Sequence, residues 1–428
     1  MIEKIYNYYI KSRGISTDTR KIQPDSIFFA LKGDNFNANE FANEALEKGA
    51  AYVIIDEQKY KTKDKRIVLV DNVLKTLQEL ATYHRIKLNI PIISLTGSNG
   101  KTTTKELINA VLKQKYKTTA TKGNLNNHIG VPLTLLSMDK TTKIGIVELG
   151  ANHPKEIAFL CNIVKPDYGY ITNFGKAHLE GFGSLEGVIK AKTELYDYLR
   201  ANNKTVFVNA NDAIQVKQSK KIKKISFGKI KSNFNIDFIA ANPFVNVKIE
   251  SITITSNLIG SYNYNNIAAA IAIGKHFEVT TLKIKKAIES YKPTNNRSQI
   301  IKKGTTKIIL DAYNANPSSM QRALENFIQL TDKRKIAILG DMFELGKHAK
   351  EEHQNLTNLV SNVNFEMTIL IGENFAMTKS TSEKVKIVKD YEAFKKIFTL
   401  DLTNVTILVK GSRGMALERI LDLITESY

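Results

Sequence analysis

The sequence predicts an α/β protein of three domains, and three observations carry that prediction. At 428 residues the chain exceeds what one ordinary hydrophobic core holds. Short β-type apolar runs alternate with amphipathic helical stretches, the pattern of mostly parallel sheets flanked by helices. These runs fall into three successive units: 1–88, a small α/β unit; 89–297, built around a phosphate-loop-type sheet; and 298–428, an open dinucleotide-fold-like sheet.

Composition narrows the class. Hydrophobic residues make up 43% and charged residues 24%, as in a soluble globular protein. No apolar run approaches the roughly 18 residues that span a bilayer, so no membrane insertion is expected. The start, Met1-Ile-Glu-Lys-Ile-Tyr6, lacks the layout of a secretory signal. Cys161 is the single cysteine, which excludes an intrachain disulfide and fits a cytoplasmic enzyme. With 62 basic and 42 acidic residues the net charge is +20. Nucleic acid is the obvious suspicion. Yet the densest basic cluster, Lys217–Lys231, contains one aromatic residue, Phe227, and reads as a solvated lysine face. A small phosphorylated substrate suits a basic chain equally well.

In the first unit, strands are expected at 25–31, 51–55 and 67–70, with a helix at 41–50 ending at Gly49. Two polar clusters, Ser16-Thr-Asp-Thr-Arg20 and Lys32–Glu40, would in isolation be turns.

The second unit opens on the stretch that organises the chain. The apolar run Ile92–Leu95 leads into Thr96-Gly-Ser-Asn-Gly100, and Lys101-Thr102-Thr103 starts a helix with apolar Leu107, Ile108, Val111 and Leu112. A glycine-rich loop between strand and helix wraps an anion, and the helix N-terminus offers unpaired N–H groups. Gly97, Ser98, Asn99, Gly100, Lys101, Thr102 and Thr103 are therefore candidate nucleotide-binding residues. Lys101 would reach the β/γ-phosphates and the Thr102 hydroxyl would ligate Mg²⁺. The general phosphate-loop pattern asks for glycine five residues before Gly100, where this chain has Leu95. Downstream, Thr121–Thr134 crowds Asn124, Asn126 and Asn127 between two glycines. That is a loop, or a set of neutral hydrogen-bonding groups for a ligand. The strand Ile144–Glu148 ends in a carboxylate at the edge where parallel sheets place ligands, so Glu148 is a Mg²⁺ candidate. Tyr168–Thr172 is a further strand, followed by Asn173 and His178.

In the third unit, strands are expected at 308–310, 335–339, 367–371 and 405–409. No Gly-x-Gly-x-x-Gly is present, so a dinucleotide is not expected. Leu408–Met415 follows a strand and places Ser412 and Arg413 at an expected helix N-terminus, a natural carboxylate site.

Together these motifs resemble the Mur ligases, the ATP-dependent amino-acid ligases of peptidoglycan synthesis. Thr96-Gly-Ser-Asn-Gly-Lys-Thr-Thr103 resembles their shortened phosphate loop. Asn124–Pro132 resembles their Asn-x-Asn-Asn-x-x-Gly-x-Pro, and Glu148–Pro154 their Glu-Met-Gly-Ala-Asn-His-Pro. Asp18-Thr19-Arg20 resembles the family's Asp-Ser-Arg in its UDP-binding domain. Asn37, Ala38 and Asn39 stand where that domain has Asp-Gly-His. Asn263 and Asn266 fall on the two asparagines of the adenine-contacting segment, with Tyr262 in place of its histidine. Asn296-Arg297 falls on its Gly-Arg, and Asp311–Pro317 on Asp-x-Tyr-Asn-Ala-Asn-Pro.

The resemblance implies ATP and Mg²⁺ as cofactors. It implies nucleotide contacts at Asn263, Asn266, Arg297 and Asp311, and substrate contacts at Asp18, Arg20, Asn124, Asn126, Asn127, Tyr313, Asn316, Ser412 and Arg413. Lys101, Asn173, His178 and Lys192 are the catalytic residues it implies. His178 would bind a second Mg²⁺, and Lys192 would carry a carbamate, because a neutral desolvated amine adds CO₂ and becomes anionic. Tyr-Asn-Ala-Asn-Pro, Gly-Asp-Met-x-Glu-Leu-Gly and Lys-Gly-Ser-Arg are most like the member that adds D-Ala-D-Ala, and the Asp-Asn-Pro-Arg of the diaminopimelate-adding member is absent. The implied partners are UDP-N-acetylmuramoyl-tripeptide and D-Ala-D-Ala, with no nucleic acid, joined by a monomer in the last cytoplasmic step of the UDP-linked pentapeptide's assembly. The alternatives are a Mur ligase that adds a single amino acid and, from a different class, a phosphate-loop ATPase acting on nucleic acid.

Overall fold

The computed structural model describes residues 1–228, 231–294 and 296–424. Lys229 of the basic cluster and Asn295 lie outside the described residues. The chain forms three parallel-rich sheets with helices packed on them. The first has four parallel strands in the order Ile15–Ser16, Ile27–Phe29, Tyr52–Ile55, Ile67–Leu69. Its edge strand Ile15–Ser16 carries no strong apolar run, and the sequence pattern gives no sign of it. The helix expected at 41–50 is shorter, Ala42–Glu47, and is preceded by a 3₁₀ turn, Ala38–Phe41.

The helix Val73–Leu88 links this sheet to the next. The Asn72 side chain accepts from Lys75 N at its start, and Asn89, in a left-handed conformation (φ +46°), ends it. Its inner face (Val73, Leu77, Leu80, Ala81) packs in one apolar cluster with Leu135, Leu160 and Cys161 of the central unit. The first unit is thereby fixed to the central one by core packing rather than tethered by a loop.

The central sheet has nine strands. Thr118–Ala120, Ile144–Glu148, Ile92–Thr96, Tyr168–Ile171, Thr205–Asn209 and Lys223–Gly228 are successively parallel. Ile92–Thr96 and Ile144–Glu148 are buried at every position, which explains their unbroken apolar character. Beyond them Phe234–Ala241, Phe244–Ile249 and Ile252–Ile259 form an antiparallel meander that the sequence pattern does not announce. On one face the helix Asn263–His276 presents Ala268–Ala272, all fully buried, in one cluster with Leu107, Ile108, Val111 and Leu112 of the helix Lys101–Leu112. Small side chains let the two helices approach closely.

The C-terminal sheet runs Gln299–Lys303, Thr306–Asp311, Val405–Lys410, Arg334–Gly340, Met367–Ile371, Val385–Val388, parallel except for the first pair. The lysines of the basic cluster, among the described residues, are all exposed.

Candidate active site

The phosphate-type loop hangs between the strand Ile92–Thr96 and the helix Lys101–Leu112. Gly97 has φ +143°, and a Cβ there would collide with Thr172 Oγ1. Gly100 has φ +77°, with a Cβ placed 2.7 Å from Asn266 Oδ1. Both positions therefore require glycine on two counts. Gly97→Ala is expected to cost about 1–3 kcal/mol of stability, through strain and overpacking at the loop. Urea unfolding checks this, and ATP-dependent turnover should fall with it.

The loop is braced from the next strand. Ser98 Oγ donates to Gly175 O at 2.8 Å, and Thr172 Oγ1 donates to Asn99 O at 2.7 Å. Asn173 Oδ1 accepts from Asn99 N at 3.1 Å, while its Nδ2 donates to Asn99 O at 2.8 Å. Both ends of that amide are engaged with the loop backbone. In this arrangement Asn173 shapes the loop.

Lys101 Nζ folds back to donate to Gly97 O at 2.7 Å. Burial draws its pKa below the usual lysine value, against the opposing pull of Glu148. Thr102 Oγ1 donates to Glu148 Oε2 at 3.0 Å, and Asn126 Nδ2 donates to Glu148 Oε1 at 2.8 Å. Glu148 is almost fully buried. This pairing of a hydroxyl with a carboxylate fits Mg²⁺, a hard cation that keeps water and substrate phosphates as its other ligands. Among the described residues no group of three or more acidic, histidine or cysteine side chains gathers to hold a metal alone.

These residues line one cavity of about 520 Å³ between the central and C-terminal units. Ser98, Asn99, Gly100, Thr103, Asn124 and Asn127 lie on its wall, as do Asn173, His178, Arg297, Asp311 and Tyr313. Asn127 Oδ1 is occupied with the N–H groups of Ile129 and Gly130, so it starts the helix Gly130–Leu136. Asn263 and Asn266 also line the cavity but are chained behind the loop. Asn266 Nδ2 donates to Asn263 Oδ1 at 2.7 Å, Thr104 Oγ1 donates to Asn266 Oδ1 at 3.0 Å, and Asn263 Nδ2 donates to Ile259 O at 2.8 Å. Two amides free for an adenine edge are therefore not what the structure presents, and neither caps the helix by its side chain.

Lys192 does not reach the cavity wall. It is fully buried on the helix Leu185–Ala201, with Nζ donating to Ala151 O at 3.1 Å and lying 5.0 Å from the Phe182 ring centroid. Burial first, then the nearby Lys101 charge, pushes its pKa down to about 7. His178 Nδ1 lies 2.5 Å from Glu344 Oε2 of the C-terminal unit.

On the C-terminal side the Arg297 guanidinium stacks 3.8 Å from the Tyr313 ring centroid. Asp311 Oδ2 pairs with Lys410 Nζ at 2.6 Å. Asn316, expected as a substrate contact, forms a clasp here. Its Oδ1 caps the helix Pro317–Gln329 through Ser319 N, and its Nδ2 donates 2.8 Å to Asn99 Oδ1 across the interface. Ser412 is buried and accepts from Phe343 N at 2.9 Å, away from the cavity. Arg413 is exposed, with Nη1 2.5 Å from Glu418 Oε1, and it opens a 3₁₀ turn, Arg413–Met415, rather than an α-helix. The expected carboxylate site at a helix N-terminus is therefore not formed there.

Asp18 and Arg20 also lie outside the cavity, on the first unit, paired to each other through two contacts of 2.9 Å. Arg20 holds the Asp18 carboxyl down at about 2. A separate hollow of about 360 Å³ lies at Lys32–Phe41. Asn39 is buried beside it, accepting from Asp56 N at 2.9 Å and donating to Asp56 Oδ1 at 3.0 Å. Asn39 thus holds the loop together where the motif's histidine would face a ligand.

Sequence reasoning missed Glu156 and Arg322 on the wall of the main cavity, where Asn314 and Lys410 also lie. Lys410 was legible only as part of Lys-Gly-Ser-Arg, because its partner Asp311 is brought opposite it by sheet register. Arg322 sits on an amphipathic helix and has no motif around it.

The chain matches the Mur ligase family catalytic domain over residues 11–85, the Mur ligase middle domain over 95–274 and the Mur ligase glutamate ligase domain over 296–413. It is 36% identical to the UDP-N-acetylmuramoyl-tripeptide–D-alanyl-D-alanine ligase of Buchnera aphidicola, over 98% of this chain and 94% of that one. The chain belongs to the Mur ligase family. The ligase of the same name from Bacillus subtilis is 34% identical over 97% and 93% of the two chains. Among solved structures, this Mur ligase superposes on MurF from Acinetobacter baumannii with a TM-score of 0.87 at 27% identity, covering 100% and 99% of the two chains. MurF ligase from Thermotoga maritima in complex with ADP gives 0.84 at 27% identity, covering 97% of each.

Proposed function

We propose that this Mur ligase joins D-alanyl-D-alanine to UDP-N-acetylmuramoyl-tripeptide, using ATP and Mg²⁺. The observation that carries this reading is the likeness along nearly the whole chain to ligases of that name. The cavity supports it, since it brings the phosphate loop together with both flanking units. The tripeptide's terminal carboxylate is too poor an electrophile to accept an amine. It attacks the ATP γ-phosphate instead, forming an acyl phosphate and releasing ADP. The dipeptide amine then attacks the acyl carbon, loses a proton, and phosphate leaves. Bound at Thr102 and Glu148, Mg²⁺ would screen the triphosphate charge that repels the incoming carboxylate. Lys101 adds a cation at the same point once it leaves the Gly97 carbonyl. His178 is the residue suited to a second ion, because its Nε2 makes no hydrogen bond among the described residues. Asp18, Arg20 and the hollow at Lys32–Phe41 would make the first unit, 1–88, the UDP end of the site.

No helix among the described residues is long and apolar enough to cross a membrane. A cytoplasmic monomer is our reading. Family membership sets aside the nucleic-acid ATPase. The remaining alternative, a ligase for a single amino acid, is separated by assaying ADP release with UDP-tripeptide and either D-Ala-D-Ala or single amino acids. Turnover with a single amino acid but not with the dipeptide would overturn the reading.

Because Arg413 faces Glu418 outside the cavity, Arg413→Lys is expected to leave the KM values for dipeptide and ATP within about threefold, as for a surface pair worth about 0–1 kcal/mol. A selective rise in the dipeptide KM would return Arg413 to the site.

A further inference from the structure

One contact between the central and C-terminal units has no role in the binding scheme above. His178 and Glu344 face each other, and both are non-glycine residues in the left-handed region, at φ +51° and +60°. Such conformations cost energy and persist where surrounding structure enforces them. Here the enforcement is visible. Glu180 N donates to Glu344 O at 3.1 Å, and a Cβ on Gly346 would lie 3.3 Å from Glu180 Cα. The two backbones are thus docked independently of the Glu344 side chain. That side chain is 46% exposed, so it is not needed to fill a core. What it reaches is His178 Nδ1, at 2.5 Å from Glu344 Oε2, a buried nitrogen that makes no hydrogen bond among the described residues.

A histidine that offers one ring nitrogen to a reaction centre needs the other fixed, and a carboxylate on that nitrogen sets both tautomer and ring orientation. We propose that Glu344 is a positioning residue: it fixes the proton on His178 Nδ1, presents Nε2 to the cavity, and does so only when the C-terminal unit is docked. Docking of that unit and completion of the central unit's reaction centre are then one event. The residue lies in Gly340-Asp-Met-Phe-Glu-Leu-Gly346, a stretch that contributes no residue to the cavity wall. Lys176 Nζ with Glu352 Oε1, at 2.7 Å, is a second ion pair across the same interface, but it lies in a different cavity and does not touch His178.

The inference rests on the ligase reading for its kinetic arm only. Glu344→Ala and Glu344→Gln are compared with wild type. In Glu344→Ala we expect turnover to fall and the Mg²⁺ concentration for half-maximal ADP release to rise, each about 10–100-fold. The KM values for ATP and dipeptide should stay within about threefold. Glu344→Gln should recover most of the loss, because its amide oxygen can accept the same hydrogen bond. Independently of activity, ring ¹⁵N NMR, assigned with His178→Gln, should show His178 protonated at Nδ1 in wild type and Glu344→Gln, and a tautomer mixture in Glu344→Ala. Wild-type turnover and Mg²⁺ requirement in Glu344→Ala, or an unchanged ring signal, would overturn the proposal. So would equal losses of activity and melting temperature in both variants, which mark a docking contact only. If wild type fails to respond to D-Ala-D-Ala, the ligase reading falls, while the ring signal still decides the role of Glu344.

Discussion

Lys101→Ala is expected to cut dipeptide-dependent ADP release by roughly 10²–10³-fold, the scale for losing one preorganised electrostatic group at a reacting centre. The chemistry begins with two anions, a carboxylate and a triphosphate, that must meet. Lys101 sits directly after the phosphate loop, and its ammonium lies against the Gly97 carbonyl with Glu148 as the nearest countercharge. A ligand phosphate offers that ammonium a stronger partner than one neutral carbonyl does. The KM for ATP should therefore rise along with the loss of turnover. Folding should not suffer. The ammonium is desolvated and has no close ion pair among the described residues, so its removal relieves a burial cost at the loss of one hydrogen bond to the Gly97 carbonyl. Glu148 keeps Thr102, Asn126 and the Thr121 hydroxyl on its own backbone N–H. A melting temperature equal to or above wild type, together with the kinetic loss, is the expected signature. Turnover within a few-fold of wild type would end the reading of this loop as the phosphate site.

The parts of the fold that the sequence disclosed are those dictated by local patterns. Ile92–Thr96 and Ile144–Glu148 read as strands because burial on both faces leaves them uniformly apolar. The helix at Lys101 read as a helix because its apolar residues fall at helical spacing. The meander of residues 234–259 was missed because it is polar and alternating on one side, interrupted by a turn at Asn242-Pro243, and carries no motif. At the site, motif positions located the cavity but did not say which side chains would be free within it. Asn173, Asn263, Asn266 and Asn316 carry amides that hydrogen-bond protein, and an amide that completes a loop has the same letter as one that meets a ligand. Glu344 stood in a visible motif, but its pairing with His178 was invisible for a different reason. Its partner lies 166 positions earlier, across a domain interface, and only docking of the two backbones brings the pair together.

Lys192→Ala is expected to lower turnover by about 10²-fold or more and to be partly rescued by formate or acetate. A lysine buried beside Lys101 is a poor place for a second cation, and both burial and Lys101 favour its neutral form. A neutral amine is a nucleophile. It adds to CO₂, loses one proton and becomes a carbamate, which exchanges an unwanted cation for an anion able to support Mg²⁺ near the phosphate loop. The surroundings allow this but do not supply the charge themselves, since among the described residues Nζ meets only the Ala151 carbonyl and the Phe182 ring. That is why an added carboxylate should substitute in the alanine variant, where the truncated side chain leaves space for it. Lys192→Met, which keeps most of the volume, should lose activity equally but resist rescue. Mass spectrometry of the intact protein in bicarbonate, before and after acidification, should show the loss of one CO₂ from wild type and none from either variant. Full activity in Lys192→Ala would leave the residue a filler of the core around Phe182, and loss without rescue in either variant would mean that its amine, not a carbamate, is the group the reaction needs.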